Sequence, residues 1–215
     1  SKDIQNIEKH SKQIDKKSIK QNVKISIKTL GDSINDSYDD VSSGFGETTK
    51  FPEASKLELM MDLSMFGDNK EMHEKSIYML DAMALRGLYD HIDGGFCRYS
   101  VDVEWEIPHF EKMLYTQAEM VSLYSRAFVT TNKELYKNIV VETIDMLDRR
   151  FLKENLYFSA SDAGMDYGEG KYFVFSKEVI KNDIGENIVF QNIKDAIGSA
   201  QKGNFSTMVH LTFNK

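Results

Sequence analysis

The chain of 215 residues has one cysteine, two prolines and no excess of positive charge. A single cysteine cannot form an internal disulfide bond, which is typical of a reducing compartment and predicts a cytoplasmic protein. Two prolines leave room for long helices. The net charge of −7 disfavours nucleic acid as a partner, because that partner needs a basic face. No apolar run approaches the roughly 20 residues of a membrane span, so we expect no membrane association.

Apolar residues at helical spacing predict four helices in the middle of the chain. The first follows Pro52, which suits a first helical position, and ends at Gly67. The second ends near Gly87, the third begins at Phe110, and the fourth covers 135–151. Each apolar stripe is wide enough to be the core face of a helix.

These helices repeat as pairs. The segment Asn69–Met72 (Asn-Lys-Glu-Met) matches Asn132–Leu135 (Asn-Lys-Glu-Leu), and an aromatic segment closing on Asp102 or Asp162 follows each pair. Repeats of this size predict stacked hairpins that share a core with their neighbours. We therefore predict an all-α fold, a partial (α/α) hairpin toroid, with a small β-hairpin from 156 to 175.

Composition divides the chain into two parts. Residues 1–40 are rich in lysine and polar residues and predict an N-terminal helical linker segment, with loop composition over 31–51. Residues 41–215 form the predicted partial α/α toroid domain. Because two full repeat units are visible and a closed ring needs more, we expect a fragment of a longer protein.

The segment 89–115 is the candidate site. It contains the only Trp and the only Cys of the chain together with two histidines and a Gly-Gly pair. Connections in compact domains usually have about 4–6 residues, and a longer one rich in polar and aromatic groups is usually functional.

Within this segment, Gly94–Asp102 (Gly-Gly-Phe-Cys-Arg-Tyr-Ser-Val-Asp), Trp105 and Pro108–Tyr115 (Pro-His-Phe-Glu-Lys-Met-Leu-Tyr) resemble the bacterial YyaL-like family. Members of that family join a thioredoxin-like domain to a six-hairpin helical toroid. The resemblance implies the toroid fold that sugar 2-epimerases and several glycosidases share. Position 97 is Cys where the family usually has His, and no Cys-x-x-Cys occurs, so we expect any thioredoxin-like redox role to belong to a part of the protein outside this sequence.

The chemistry of the segment indicates a sugar site. His109, preceding the third helix, could serve as an acid/base group with Glu111 orienting it. Alternatively, both residues cap that helix and pack the loop. A stacking wall for a sugar ring is predicted from Trp105 and Tyr99, and these rings could equally fill the centre of the toroid.

Three further residues complete the predicted substrate-binding set. Asp93 and Arg98 could hydrogen-bond sugar hydroxyls, and Asp162 is assigned to the same role. The alternative for Asp162 and for Asp102 is to anchor a hairpin through local bonds to the backbone. Pro108 between Glu106 and His109 disfavours a helical metal-ligand pair, so we predict no metal and no cofactor.

Two functions remain open from the sequence, and it does not decide whether the chain is an enzyme. The first is a non-catalytic interaction or scaffold module that binds a thioredoxin-like partner or forms a homo-oligomer, because an open half-toroid exposes apolar helix faces. The second is a carbohydrate-active isomerase or epimerase-like enzyme that binds a small sugar and uses His109 as its acid/base group.

Overall fold

The computed structural model describes residues 27–165, 168–169, 173, 175–176, 197–198, 208–209 and 212–213. These residues form five helices: α1 (27–36), α2 (Ala54–Gly67), α3 (Lys70–Leu85), α4 (Leu114–Thr131) and α5 (Glu134–Arg150). Residues 1–26 of the predicted N-terminal linker lie outside the described residues. From residue 27 the linker is helical, as α1. This helix continues to residue 36 because Ile34 is buried in the core, so the loop predicted from residue 31 begins after residue 36.

The helices pack as two hairpins, α2 with α3 and α4 with α5. Each hairpin turns within two residues, and in each turn the first residue, Asp68 or Asn132, has a left-handed backbone. Methionine fills much of the core between the helices, since Met60, Met79 and Met120 are almost fully buried. Burying one such side chain contributes roughly 1.5–3 kcal/mol, so each of these methionines stabilises the packing of the helices.

The described residues also form twelve short strands, of which β1–β3 lie between the two hairpins and β4–β12 follow the second, and all pair antiparallel. The pairs are β1 (Tyr99–Ser100) with β2 (Pro108–His109), β3 (Lys112–Met113) with β6 (Ala160–Ser161), β4 (Leu152–Lys153) with β5 (Leu156–Tyr157), β7 (Gly164–Met165) with β8 (Gly168–Glu169), β9 (Phe175–Ser176) with β11 (Met208–Val209), and β10 (Ile197–Gly198) with β12 (Thr212–Phe213). The expected hairpin from 156 to 175 is therefore replaced by a tighter one, in which β5 pairs with β4. A turn at Glu154 and Asn155, both at positive φ, closes it.

The start of the third predicted helix is wrong by four residues. Phe110 was expected to open it, yet α4 begins at Leu114. The preceding backbone is extended because Pro108–His109 pairs with Tyr99–Ser100, and Lys112–Met113 pairs with Ala160–Ser161. His109 accordingly lies on a strand and not at a helix N-terminus.

Candidate functional site

The segment 108–113 alternates between two environments, as an extended chain does. Pro108, Phe110 and Lys112 are buried, whereas His109 and Glu111 are partly exposed between them. The same backbone therefore presents one face to the core and the other to the candidate site.

Three aromatic rings stack in a column on the exposed face. The ring centroids of Tyr99 and His109 lie 4.8 Å apart with an interplanar angle of 20°. The ring centroid of Phe51 lies 4.9 Å from that of Tyr99 with a tilt of 32°, and Phe51 is 44% exposed. The sequence reasoning missed Phe51, because its contact with Tyr99 depends on a bridge between Lys50 and Ser100 that joins distant parts of the chain.

A line of charged side chains runs beside this column. Arg98 donates from its guanidinium to Glu111 Oε2 at 2.8 Å, and the same oxygen lies 3.8 Å from His109 Nε2. The second distance is too long for a hydrogen bond. The hydrogen bond and charge of Glu111 raise the pKa of Arg98. The side chain of Arg98 is 42% exposed, that of Glu111 24% and that of His109 25%, so a ligand could reach all three.

Trp105 lies in the interior, away from this exposed face. Its side chain is 0% exposed, and its indole N–H donates to the backbone oxygen of Ser43 at 3.2 Å. The ring also fills the space above Gly44. Trp105 therefore offers no open ring face to a ligand.

Asp102 anchors its own loop, as one of the sequence alternatives predicted. Its carboxylate accepts hydrogen bonds from the backbone N–H of Glu104 at 2.7 Å and of Glu106 at 3.2 Å, and from the Ser100 hydroxyl at 3.0 Å. These bonds hold the turn that carries Trp105.

Asp93 and Asp162 line a separate shallow cleft. Two arginines neutralise Asp93, since Arg149 and Arg150 each lie 2.6 Å from its carboxylate. Asp162 is exposed. The remaining lining residues are Lys112, Met146, Phe151, Ser161 and Phe173. The structure thus groups Arg98, Tyr99, His109 and Glu111 and places the two aspartates elsewhere.

Two lysine–aspartate pairs lie under the strands of the site, and both lysines are buried, whereas Asp90 is buried and Asp39 is partly exposed. Lys112 Nζ lies 2.8 Å from Asp90 Oδ2 and donates to the backbone oxygen of Gly94 at 2.7 Å. Lys50 Nζ lies 2.6 Å from Asp39 Oδ2 and also contacts the backbone oxygen of Ser43. The sequence reasoning missed both pairs. The signal that would have found them is the motif Tyr-Asp-x-(Val/Ile)-x-x-Gly-Phe, which occurs at 38–45 and at 89–96.

The remaining reactive groups point to no further chemistry. Burial raises the pKa of the Cys97 thiol to about 12, so the thiolate form that a nucleophile needs is absent near neutral pH. In the part of the chain that the structure describes, no group of three His, Cys, Asp or Glu side chains could hold a metal ion. None of the described helices combines the length and apolar character needed to cross a bilayer.

Comparison with known proteins shows distant homologues of this chain. Mouse spermatogenesis-associated protein 20 is 31% identical over 167 residues, which are 73% of this chain and 21% of the mouse protein. An uncharacterised protein of Caenorhabditis elegans is 31% identical over 186 residues, 78% of this chain and 26% of that protein. The chain thus spans about a quarter or less of the curated relatives it matches. No protein-family model matches it.

Solved structures show the fold. A sugar epimerase from a ruminal bacterium superposes with a TM-score of 0.56 at 15% identity, covering 70% of this chain and 43% of the epimerase. Cellobiose 2-epimerase from Bacillus thermoamylovorans gives a TM-score of 0.56 at 12% identity, covering 90% and 60%. The chain is therefore a distant homologue of spermatogenesis-associated protein 20 over most of its own length, and it shares the fold of part of a six-hairpin helical toroid, as the sequence predicted.

Proposed function

We propose that the chain carries part of a carbohydrate site, formed by the column of Phe51, Tyr99 and His109 with Arg98 and Glu111 beside it. The observation that carries the proposal is this grouping of stacked rings and a charged line on one accessible face. Sugar sites combine apolar ring faces and edges with a few fixed polar groups. The fold, shared with proteins described as sugar epimerases, adds support.

In this proposal each side chain has a distinct role. His109 transfers a proton to or from the sugar, since imidazole is the side chain used most often for such transfer. Glu111 orients the imidazole, and Arg98 binds a hydroxyl or a developing negative charge. An epimerisation also needs a second acid/base group on the opposite face of the sugar, and we assign only one to this chain.

Binding of free sugars tests the proposal directly. The ¹⁵N-labelled chain would be titrated with glucose, mannose and cellobiose, with NMR recording the amide signals. We expect saturable shifts at Tyr99, Arg98 and Glu111. His109→Ala should weaken binding about tenfold, equivalent to about 1.4 kcal/mol. His73→Ala is the matched control, because His73 is an exposed histidine on α3. Absence of saturable shifts with every sugar would contradict the proposal.

A second candidate is an interaction module, as the sequence also allowed. Its supporting observation is a patch of two exposed apolar residues near the ends of neighbouring helices: Phe66 of α2 is 85% exposed, and Val129 of α4 is 83% exposed. An ion pair between Asp62 and Arg126 joins these two helices. Exposed apolar side chains on neighbouring elements often mark a contact surface, in this candidate function with a second copy of the chain.

A further inference from the structure

Two turns of the chain repeat one arrangement of hydrogen bonds. In the first turn Asp39 donates its N–H to the Gly44 oxygen, and in the second Asp90 does the same with Gly95, both at 2.9 Å. The Oδ1 atom of each aspartate also accepts hydrogen bonds from the backbone N–H groups two and three residues later in the chain. In both turns a tyrosine before the aspartate bridges a phenylalanine after the glycine.

The lysine that closes each turn has equivalent surroundings too. Lys50 pairs across the strands with Ser100, and Lys112 pairs with Ser161. An aromatic ring covers each ammonium, with Trp105 at 5.9 Å from Lys50 and Phe173 at 5.6 Å from Lys112. The two copies therefore form one structural unit used twice.

Each lysine is adjacent in sequence to a residue of the proposed sugar site. Lys50 precedes Phe51, and Lys112 follows Glu111, so each pair fixes the strand from its buried side. Replacing a buried ion pair by apolar residues of similar size is often neutral for stability. Holding a fixed geometry is the better-attested use of such a pair.

We infer that the Asp90–Lys112 pair positions Glu111 and His109, and that Asp39–Lys50 does the same for Phe51. Lys112 bonds to both Asp90 and Gly94 and thereby ties the strand to the preceding turn. The backbone N–H of Arg98 donates to the backbone oxygen of Glu111 at 2.8 Å. This bond fixes the neighbouring strand in register with the strand that carries Lys112. The inference concerns the site of the proposed function, but its geometric part is testable without a sugar.

The test replaces the pair in the full chain with Asp90→Leu and Lys112→Met together. The first measurement is the ring-proton signals of His109, which stacking on Tyr99 moves upfield. We expect the double variant to remain folded and to lose most of this upfield shift. The corresponding double variant at Asp39 and Lys50 should instead disturb the Phe51 signals.

Met60→Ala is the control for general destabilisation, because Met60 is a buried residue of α2 outside the pair. It should leave the His109 signals unchanged. A folded double variant whose His109 signals match the wild type would overturn the inference. If that variant does not fold, Asp90→Glu replaces it in the test, because it keeps both charges and only lengthens the acidic side chain. We expect Asp90→Glu to lose most of the upfield shift of the His109 ring protons as well. An unchanged His109 spectrum in Asp90→Glu would also overturn it.

Sugar affinity is the second measurement and separates the two proposals. We expect about tenfold weaker binding in the Asp90→Leu, Lys112→Met variant and unchanged binding in Met60→Ala. If the wild type binds no sugar while the His109 signals still depend on the pair, the proposed function fails and the positioning role holds.

Discussion

At the scale of single residues, the charge on Asp90 and on Asp39 depends on a balance between desolvation, which favours the neutral carboxyl, and hydrogen bonds and lysine charges, which favour the carboxylate. Burial raises the pKa of the Asp90 carboxyl, but the charge and hydrogen bond of Lys112 and two backbone N–H groups outweigh it and lower the pKa below the ordinary value of 3.8. Asp39 is lowered in the same way, with Lys50 as the main opposing group. Both aspartates are therefore charged in the folded chain at neutral pH.

This balance predicts acid sensitivity. A carboxyl whose pKa is lower in the folded than in the unfolded chain stabilises the fold fully above the unfolded value. That stabilisation is lost as the pH falls below 3.8 towards the lower folded pKa. Urea unfolding between pH 6 and 3 should show the free energy of unfolding fall, with a smaller fall in Asp90→Leu, Lys112→Met. Equal slopes for the two proteins would contradict the assignment.

Gly44 is a second residue whose environment gives a sharp expectation. Its φ is +84°, and a Cβ there would lie 2.7 Å from Cζ2 of Trp105. Gly44→Ala should therefore destabilise the chain by about 1–3 kcal/mol, through backbone strain and overpacking. Gly67→Ala is the matched control, because a Cβ at Gly67 meets nothing within 4 Å. Thermal melting that shows equal losses for both variants would count against this account.

At this scale the sequence named candidate residues but not the contacts that hold them. Of the seven candidates, the structure brings Arg98, Tyr99, His109 and Glu111 together, and their role as a site stays a prediction. The sequence left Trp105 open between a stacking wall and an internal packing residue, because its hydrogen-bond partner, Ser43, lies far away in the chain. Such contacts follow from tertiary packing and leave no local pattern.

At the scale of elements, the two helical hairpins are less alike than their sequences. Asn69 and Asn132 occupy matching positions in the repeated segment. Asn69 is the N-cap of α3 and accepts a hydrogen bond from the Met72 N–H at 3.1 Å. Asn132 is the C-cap of α4 with a φ of 56°. At matching positions of the repeat, one asparagine therefore begins a helix and the other ends one. The second helix of the second hairpin, α5, has Lys133 as its N-cap, one residue after the position that matches Asn69.

Substitutions at these caps should separate the two roles. Asn69→Ala removes the capping acceptor and should cost about 1 kcal/mol of stability. Asn132→Gly should be neutral or slightly stabilising, because glycine tolerates the left-handed backbone best. Asn69→Gly is the control that keeps backbone freedom at the N-cap, where the loss should be only a few tenths of a kcal/mol. Chemical denaturation measures all three, and a costly Asn132→Gly would show that its side chain is needed.

At the scale of the whole molecule, helix pairing was predictable and strand pairing was not. The apolar stripes located the four main helices, and α2 ends at Gly67 as expected. The two-residue strands are set by partners such as Ala160–Ser161 for Lys112–Met113, nearly 50 positions away. Segments of two residues carry too little periodicity to reveal such partners. The division of the chain at residue 40 stays a prediction.

The exposed helix ends give the prediction for association. If the patch around Phe66 binds a second copy, the chain should be a dimer at micromolar concentration by light scattering. Phe66→Ser should then shift it to the monomer, because it removes the most exposed apolar side chain of the patch. Leu156→Ser is the matched control, since Leu156 is also exposed, at 75%, but lies on β5. A wild-type monomer would leave the sugar site as the better-supported function.

The burial of Trp105 also makes the chain its own optical label. As the only tryptophan, it alone supplies indole fluorescence. Its ring touches Gly44 and bonds to Ser43, with Lys50 beside it, so its emission reports on the first of the two repeated turns. The second turn has Phe173 in the corresponding place and is optically silent at the same wavelengths. Opening of the first turn is thus visible in the unlabelled protein, separately from opening of the second.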